Sequence, residues 1–488
     1  MALLAPSGPG PSASDAMISP LDTTTPVARS LAGVRSAYLV GVGGTGMCGA
    51  AELLTARGIA VRGSDRSASR RTERLARVGV PVDLGDDAPL PDALDLVVAT
   101  AAAAPDHPQL VAARRRGVPV WKYAECLGAL MEGRVGIAVA GCHGKTTTSS
   151  LVATALWRAG RDPSFVIGGE VRDLATSSRP GRGPHFVAEA CEYDRSFHRL
   201  RPTIAIVTNV DADHLDYYRD LEEIRESFRA FARLLPAHGT LVVHEDHADV
   251  FRRDPRIVAR LETYGPSPAA AWRVLDAHYD ADGGGLRWRV ARDGEVVAAP
   301  SLPLTGVHNA WNATGALAAL AAAGLPLDEA VPALASFGGV GRRLEVVAER
   351  GGVTVLDDYG HHPAEIAAVV RGLRARWPGR RLVLTFQPHQ ASRTRLLLEE
   401  FGEALALADE AWLAPIYLAR DSEEDRRAVT STDVAARVEA HGGHARVFPS
   451  FSAIVEHGAA AVRPGDVLVT MGAGNVDEVA RGLALRLP

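Results

Sequence analysis

The amino-acid sequence predicts an α/β protein made of three doubly wound blocks in series. Three observations carry this. The chain has 488 residues, and at about 150 residues per domain that is room for roughly three cores. Short apolar runs alternate with helix-length segments over nearly its whole length, a pattern that gives parallel strands whose crossover helices cover both faces of a sheet. Glycine-rich turns stand where an apolar run ends and a helical pattern begins, the position at which doubly wound folds hold their ligands.

Residues 1–34 are rich in Pro, Ser, Gly and Thr without periodicity and read as a disordered tail. The first block, 35–130, opens with AYLVGVGGTG, a strand running into a glycine turn. The helical MCGAAELLTARG and the strand IAVRGSD complete a β-α-β unit, and LDLVVATA, HPQLVAARRRG and VPVW continue the alternation. The second block, 131–336, begins with the strand GIAVAG, the turn CHGKT and the helix TTSSLVATALWRAG, followed by strands at HFVAEA, TIAIVTNV and GTLVVHED. Residues 270–304 alternate around DGGG and RDGE, the mark of hairpins in a small antiparallel appendage, and an Ala-rich helix from Asn309 to Ala323 closes the block. GGVGRRLE is then expected to be a flexible hinge, about which the third block, 337–488, rotates to close on substrates. That block alternates again through GGVTVLDDYG, EIAAVVRGLRARW, RRLVLTFQPHQ, TRLLLEEFGEALALA, EAWLAPIY and DVLVTMGAG before a last helix.

Composition narrows the function. Hydrophobic residues make up 47% and charged residues 23%, with a net charge of −5, so the chain is globular and lacks the basic footprint of a nucleic-acid binder. The most apolar stretches, Leu96 to Pro105 and Ala310 to Leu327, are short or interrupted by Asn, Gly and Pro, and neither is expected to insert into a membrane. MALLAPSGPGPSAS has no basic start and no long apolar run, unlike a secretory signal. Four cysteines, Cys48, Cys126, Cys142 and Cys191, form no C-x-x-C pair, which argues for a reducing compartment and against structural zinc. A cytoplasmic monomer or weak homodimer is expected. Of the 53 basic residues only Lys122 and Lys145 are lysines, so chemistry needing a primary amine has two candidates.

Two glycine clusters carry chemistry. In Gly41-x-Gly43-Gly44-x-Gly46 the backbone amides and the following helix dipole suit a diphosphate, and Asp65, ending the next strand, stands where an acid meets a ribose hydroxyl. NAD, FAD and a UDP-sugar all remain open, as does a tight turn that binds nothing. The second cluster, Gly141-Cys142-His143-Gly144-Lys145-Thr146-Thr147, is more specific. Gly144 allows close backbone approach, Lys145 offers a point charge to terminal phosphates, and Thr146 offers a hydroxyl to Mg²⁺. Val139 occupies the place of the first glycine in the usual G-x-x-x-x-G-K-[ST] pattern, so this is a shortened loop, and a nucleoside triphosphate is its expected ligand. Magnesium takes hard oxygen ligands at strand ends beside such a loop. Glu189 and the Asp211-x-Asp213-His214 cluster are candidates, against a solvated turn for Glu189 and a packing role for His214.

GVGGTGM with Ala51-Glu52, GCHGKTTT, VAEACEYD, TNVDADHLDYY, GVHNAWNA, GGVGRRLE, DDYGHHPAEI, FQPHQASRT and MGAGN occur in this order from residue 41 to 475. With these motifs the chain resembles the Mur ligases, and within them the alanine-adding branch. The resemblance implies an N-terminal Rossmann-like domain, a central P-loop ATPase-type domain and a C-terminal Rossmann-like domain. It implies an ATP-dependent ligase that joins L-alanine to the carboxylate of UDP-N-acetylmuramate through an acyl phosphate, with ATP and Mg²⁺ as cofactors. Carried over, Gly43, Gly44, Gly46 and Asp65 would hold the sugar nucleotide. Gly141, His143, Gly144, Lys145, Thr146 and Thr147 would hold the phosphates, and Thr146, Glu189 and His214 would serve Mg²⁺. His308, Asn309 and Asn312 would lie near the adenine, and Arg342 and Asp358 would reach ATP from the third domain. Tyr359, His361, His389 and Arg393 would line the substrate pocket, with Lys145, His361 and Arg393 as the catalytic set.

The chain departs from that family at Cys191, where Asp is usual, and at Gln390 and Ala391, where Arg-Tyr is frequent. DYYRDLEEIRESFRAFARLL contains no lysine, whereas some sibling ligases resemble enzymes with a carbamoylated lysine here, which favours the alanine-adding branch. Competing readings are a sibling ligase that attaches a recycled tripeptide to the same sugar nucleotide, a nicotinamide-dependent dehydrogenase, and a non-catalytic UDP-sugar sensor. The phosphate loop has no task in the second, and Lys145 with Glu189 argues against the third.

Overall fold

A computed structural model describes residues 29–212, 217–280, 284–418 and 421–487. Three sheets follow one another along the chain, as alternation demands. The first has five parallel strands in the order Val82–Leu84, Ala60–Asp65, Ser36–Val40, Leu96–Ala99, Val120–Lys122. Strand order reverses at Ser36–Val40, so the glycine turn that follows it opens at the crevice of the sheet, where the helix Thr45–Ala56 begins. Residues 1–28 lie outside the described part. Residues 29–34, assigned on composition to the tail, pack instead: Arg29 pairs with Glu125 at 3.2 Å, and Leu31 and Val34 lie against the core.

The central sheet has eleven strands. Val135–Ala140 lies between His185–Glu189 and Ile204–Val207, all parallel, so the phosphate loop, Glu189 and Thr208 emerge side by side at one edge. The expected appendage is part of this same sheet. Trp272–Tyr279 pairs in parallel with Arg260–Gly265, and Leu286–Arg292, Glu295–Ala298 and Ser301–Leu302 extend it antiparallel. The reason is the alternation itself, which buries Trp272, Val274, Trp288 and Val290 in the same core as the Ala-rich helix His308–Ala322. A further helix, Leu327–Ala335, was hidden by its internal Pro332.

The third sheet runs Glu345–Arg350, Val353–Asp358, Val467–Met471, Leu382–Phe386, Glu410–Leu413, Ala445–Val447 and is parallel except for its first strand. The hinge is narrower than the glycines suggest. Val340 pairs antiparallel with Val171, Arg172 N donates to Gly339 O, and Gly341 N donates to Glu170 O, so residues 338–341 are fastened to the central domain. The chain then turns through Arg342 and Leu344, both at positive φ (+59° and +47°), into the edge strand. The third domain sits against the central one. No helix among the described residues is long and apolar enough to cross a membrane.

Candidate active site

At the first glycine turn Asp65 reaches back, its Oδ2 accepting from Gly43 N at 2.8 Å, while Arg71 donates to Gly43 O. A Cβ on Gly46 would lie 2.6 Å from the Tyr123 ring and hydroxyl, so only glycine lets the helix start there.

The phosphate loop is held from below by the neighbouring strand end. Gly141, at φ +133°, packs so near Thr208 that a Cβ would come within 2.0 Å of its hydroxyl. Thr208 Oγ1 donates to His143 O at 2.5 Å, and Asn209 bonds both His143 N and His143 O. Cys142 Sγ both donates to Asp211 O and accepts from Asp211 N at 3.3 Å, tying the loop to the start of the Asp-x-Asp-His segment. Residues 213–216, and with them the expected ligand His214, lie outside the described residues. Gly144, at φ +80°, caps the helix Lys145–Arg158, whose first amides face the loop.

Lys145 is the centre of this arrangement. Its ammonium donates to Gly141 O (2.5 Å), Cys142 O (3.1 Å) and both oxygens of Glu192 (3.0 Å). Burial works against the charge, but Glu192 holds Lys145 above the ordinary lysine range. Glu192, 1% exposed, escaped the sequence reading because a turn glutamate gives no sign of burial. Glu189 accepts from Gly168 N at 2.6 Å and Ser149 Oγ at 3.4 Å. The Gly168-Gly169 pair is wedged between Glu189 and Thr146, where a Cβ would fall 2.8 Å from one and 3.0 Å from the other. Two of the three expected metal ligands thus flank one glycine pair. Among the described residues no group of three His, Cys, Asp or Glu side chains forms a metal site on its own.

Between the central and third domains lies a cavity of about 280 Å³. Its wall brings together His143, Gly144 and Thr147 of the loop, His308, Asn309 and Asn312 of the Ala-rich helix, and Asp358 from the third domain. Burial alone pushes His308 down to about 4, so its imidazole is neutral. His244, Tyr264 and Trp311 form a far wall that the sequence did not single out, with the His244 ring 5.3 Å from both others.

Arg342 is placed differently from expectation. Its guanidinium is spent inside the third domain on Asp357 (2.9 Å), Gly474 O (2.7 Å) and Gly472 O (2.8 Å), and its neighbour Arg343 faces the cavity. Positive φ at Arg342 turns its side chain away, a reversal invisible in an Arg-Arg pair. Asp358 accepts from Leu344 N and Gly360 N, and burial pushes it up to about 6 although Arg343 pulls the other way. Glu365, also unforeseen, crosses the domain boundary with Oε1 3.2 Å from His143 Nδ1. Burial disfavours its charge, yet His143 and His361 beside it hold the carboxyl well below the usual range.

The expected substrate residues form a row of rings: Tyr359 to His361 at 5.8 Å, His361 to His389 at 5.8 Å, and His389 stacked on Tyr417 at 5.3 Å. Burial pushes His361 down to about 4 against the pull of Glu365, and the Arg393 charge lowers both His361 and His389 further. Ala391 is fully buried and Gln390 adopts φ +67°, so the loop packs around these two departures.

Comparison with known proteins agrees with this geometry. Residues 36–135 match the model for the Mur ligase family, catalytic domain, residues 139–320 that for the Mur ligase middle domain, and residues 342–474 that for the Mur ligase, glutamate ligase domain. The chain is 42% identical to the UDP-N-acetylmuramate--L-alanine ligase of Sorangium cellulosum (strain So ce56), covering 93% of this chain and 97% of that one. It is 43% identical to the enzyme of that name from Acidothermus cellulolyticus, covering 90% and 91%. The crystal structure of UDP-N-acetylmuramate-alanine ligase from Thermotoga maritima superposes with a TM-score of 0.75 at 25% identity, over 92% of this chain and 98% of that one. A murein peptide ligase from Psychrobacter arcticus superposes at 0.67 and 25%, over 93% and 98%. On matches that run from the first strand into the third domain, the chain belongs to the Mur ligase family.

Proposed function

We propose that the chain joins L-alanine to the carboxylate of UDP-N-acetylmuramate at the expense of ATP, a step of peptidoglycan precursor synthesis. The observation that carries the ATP part is the shared cavity, where a shortened phosphate loop, the His308–Asn312 face and Asp358 converge. The curated alanine ligases at 42% and 43% identity support the choice of amino acid over the tripeptide. We place the enzyme in the cytoplasm, where ATP is supplied and its four free cysteines stay reduced.

A carboxylate does not react with an amine until an oxygen becomes a leaving group. Transfer of the γ-phosphoryl group to it gives an acyl phosphate and ADP, and attack by the alanine amine then gives the amide, phosphate and a proton. Lys145 and the amides opening the helix Lys145–Arg158 suit the charge of that transfer. Glu189, at the strand end beside the phosphate loop, and Thr146, in the first turn of the loop's helix, carry the hard oxygens that Mg²⁺ takes; bound there, the ion would neutralise phosphate charge. His361, kept neutral and weakly basic by burial, is suited to orient the amine by accepting a hydrogen bond rather than to take its proton, with Arg393 beside it for an anionic substrate group. Gly43, Gly44, Gly46 and Asp65 are the proposed seat of the UDP moiety.

The test is phosphate release by purified protein with Mg²⁺, ATP, UDP-N-acetylmuramate and L-alanine, each omitted in turn, with mass analysis of the product. Release that requires all components and a product carrying one alanine is expected. Turnover with the tripeptide L-Ala-γ-D-Glu-meso-diaminopimelate in place of alanine would move the chain to the sibling activity. Lys145→Ala should abolish release and, by stranding the buried Glu192 carboxylate, cost about 3–5 kcal/mol of stability, and Lys145→Arg should be nearly as poor in activity, because a planar fork replaces a compact ammonium.

A further inference from the structure

We propose that Glu192 is a positioning residue that competes with the triphosphate for Lys145 and so sets the affinity for nucleotide. The inference rests on the ATP reading above. An ammonium has three protons, and those of Lys145 are shared among two loop carbonyls and both Glu192 oxygens, all within 3.1 Å. In that geometry it points into the loop and towards Glu192, and it cannot also meet phosphate oxygens.

The segment bearing Glu192 is built to keep the carboxylate there. The hydroxyl of the buried Tyr218 donates to Glu192 O at 2.5 Å, and Arg195 N donates to the same oxygen at 3.0 Å. Asp194 and Arg195 both lie in the left-handed region, at φ +53° and +51°, a conformation that two consecutive non-glycine residues adopt only when the surroundings enforce it. Lys122, at the end of the first sheet, pairs with Asp194 at 2.6 Å. Both lysines of the chain therefore end on one strained turn. Drawing Lys145 away leaves a carboxylate that is 1% exposed without that counter-ion, a cost subtracted once from the sum of the phosphate contacts the lysine then makes. The cost is recovered when Lys145 returns, which favours release of spent nucleotide.

The test is calorimetric titration of Glu192→Gln and the parent protein with a non-hydrolysable ATP analogue and, separately, with adenosine, in EDTA so that no metal contributes. Glu192→Gln should bind the analogue roughly tenfold more tightly, the scale of one charge-assisted bond, with adenosine affinity unchanged because Lys145 meets only phosphates. Analogue binding that is unchanged or weaker, or an equal shift for adenosine, would overturn the proposal. Should Glu192→Gln not fold, Glu192→Asp carries the same test: it draws the charge back by one methylene and should tighten the analogue about threefold. A parent protein that binds no ATP even with Mg²⁺ would instead overturn the ATP reading.

Discussion

The helix Thr45–Ala56 of the first domain lies on the central strands Ser164–Val171 and Thr176–Arg179 so closely that a Cβ on Gly49 would come within 2.8 Å of Ser178. One apolar cluster runs through this junction, from Leu39 and Leu54 through Leu127 to Val207, Phe228 and Phe251. The junction between the central and third domains is of another kind. The third domain has apolar clusters of its own on the two faces of its sheet, and it meets the central domain through His143–Glu365, through Arg376 donating to Thr305 Oγ1 at 2.5 Å, and around a cavity. A close-packed apolar junction has one arrangement, whereas a polar one with a void has room for several. The first domain is thus fixed relative to the phosphate loop, and the third domain is the adjustable part.

This contrast can be broken at its rigid end first. Gly128→Ala would put a Cβ 2.0 Å from Arg199 O where the helix Tyr123–Met131 meets the central domain. A loss of about 3 kcal/mol is expected, read as a lowered thermal midpoint, because backbone faces backbone and neither side yields. At the adjustable junction Glu365→Gln should leave the thermal midpoint much nearer the parent's while lowering kcat/KM for ATP roughly tenfold, the cost of one charge-assisted contact. Equal stability losses in the two variants would erase the distinction drawn here.

A pH titration sharpens it. His361 is lowered from 6.5 to about 4, so its contribution to stability is full above 6.5 and is lost as pH falls towards 4. Asp358 is raised from 3.8 to about 6, so its contribution runs the other way, full below 3.8 and lost as pH rises through 6. The two offset each other in the parent. Asp358→Asn should unmask the histidine, giving a further stability drop of about 3 kcal/mol between pH 6.5 and 4, followed by thermal unfolding at each pH. A slope equal to the parent's would show that Asp358 is not raised as described, and a flat profile in the variant that His361 is not lowered. Smallest of all, Arg376→Ala should cost no more than about 1 kcal/mol by the same measurement.

Much of this was legible in the sequence because glycine is read directly. Gly41, Gly43, Gly46, Gly141 and Gly144 had to be glycine for steric reasons, and the strands that lead into their turns are short apolar runs. His143, Thr147, His308, Asn309, Asn312 and Asp358 were placed together by resemblance and do line one cavity. What escaped depends on tertiary context. Glu192 and Glu365 are acids in ordinary turn or helix-start positions, and only burial beside a cation gives them a task. The Arg342 and Arg343 side chains part because of one backbone angle. Trp272–Tyr279 looks like any exposed hairpin strand until a neighbour is found for its buried face.

The scarcity of lysine has a practical consequence for chemical labelling. Lys145 is enclosed by the loop and Glu192, so among lysine side chains an acylating reagent meets Lys122, whose side chain is 58% exposed. Activity lost on such treatment would report acylation at the tie between the first domain and the Asp194 turn. Protection by nucleotide, the usual sign of a phosphate-binding lysine, would be a misleading guide to which amine had reacted.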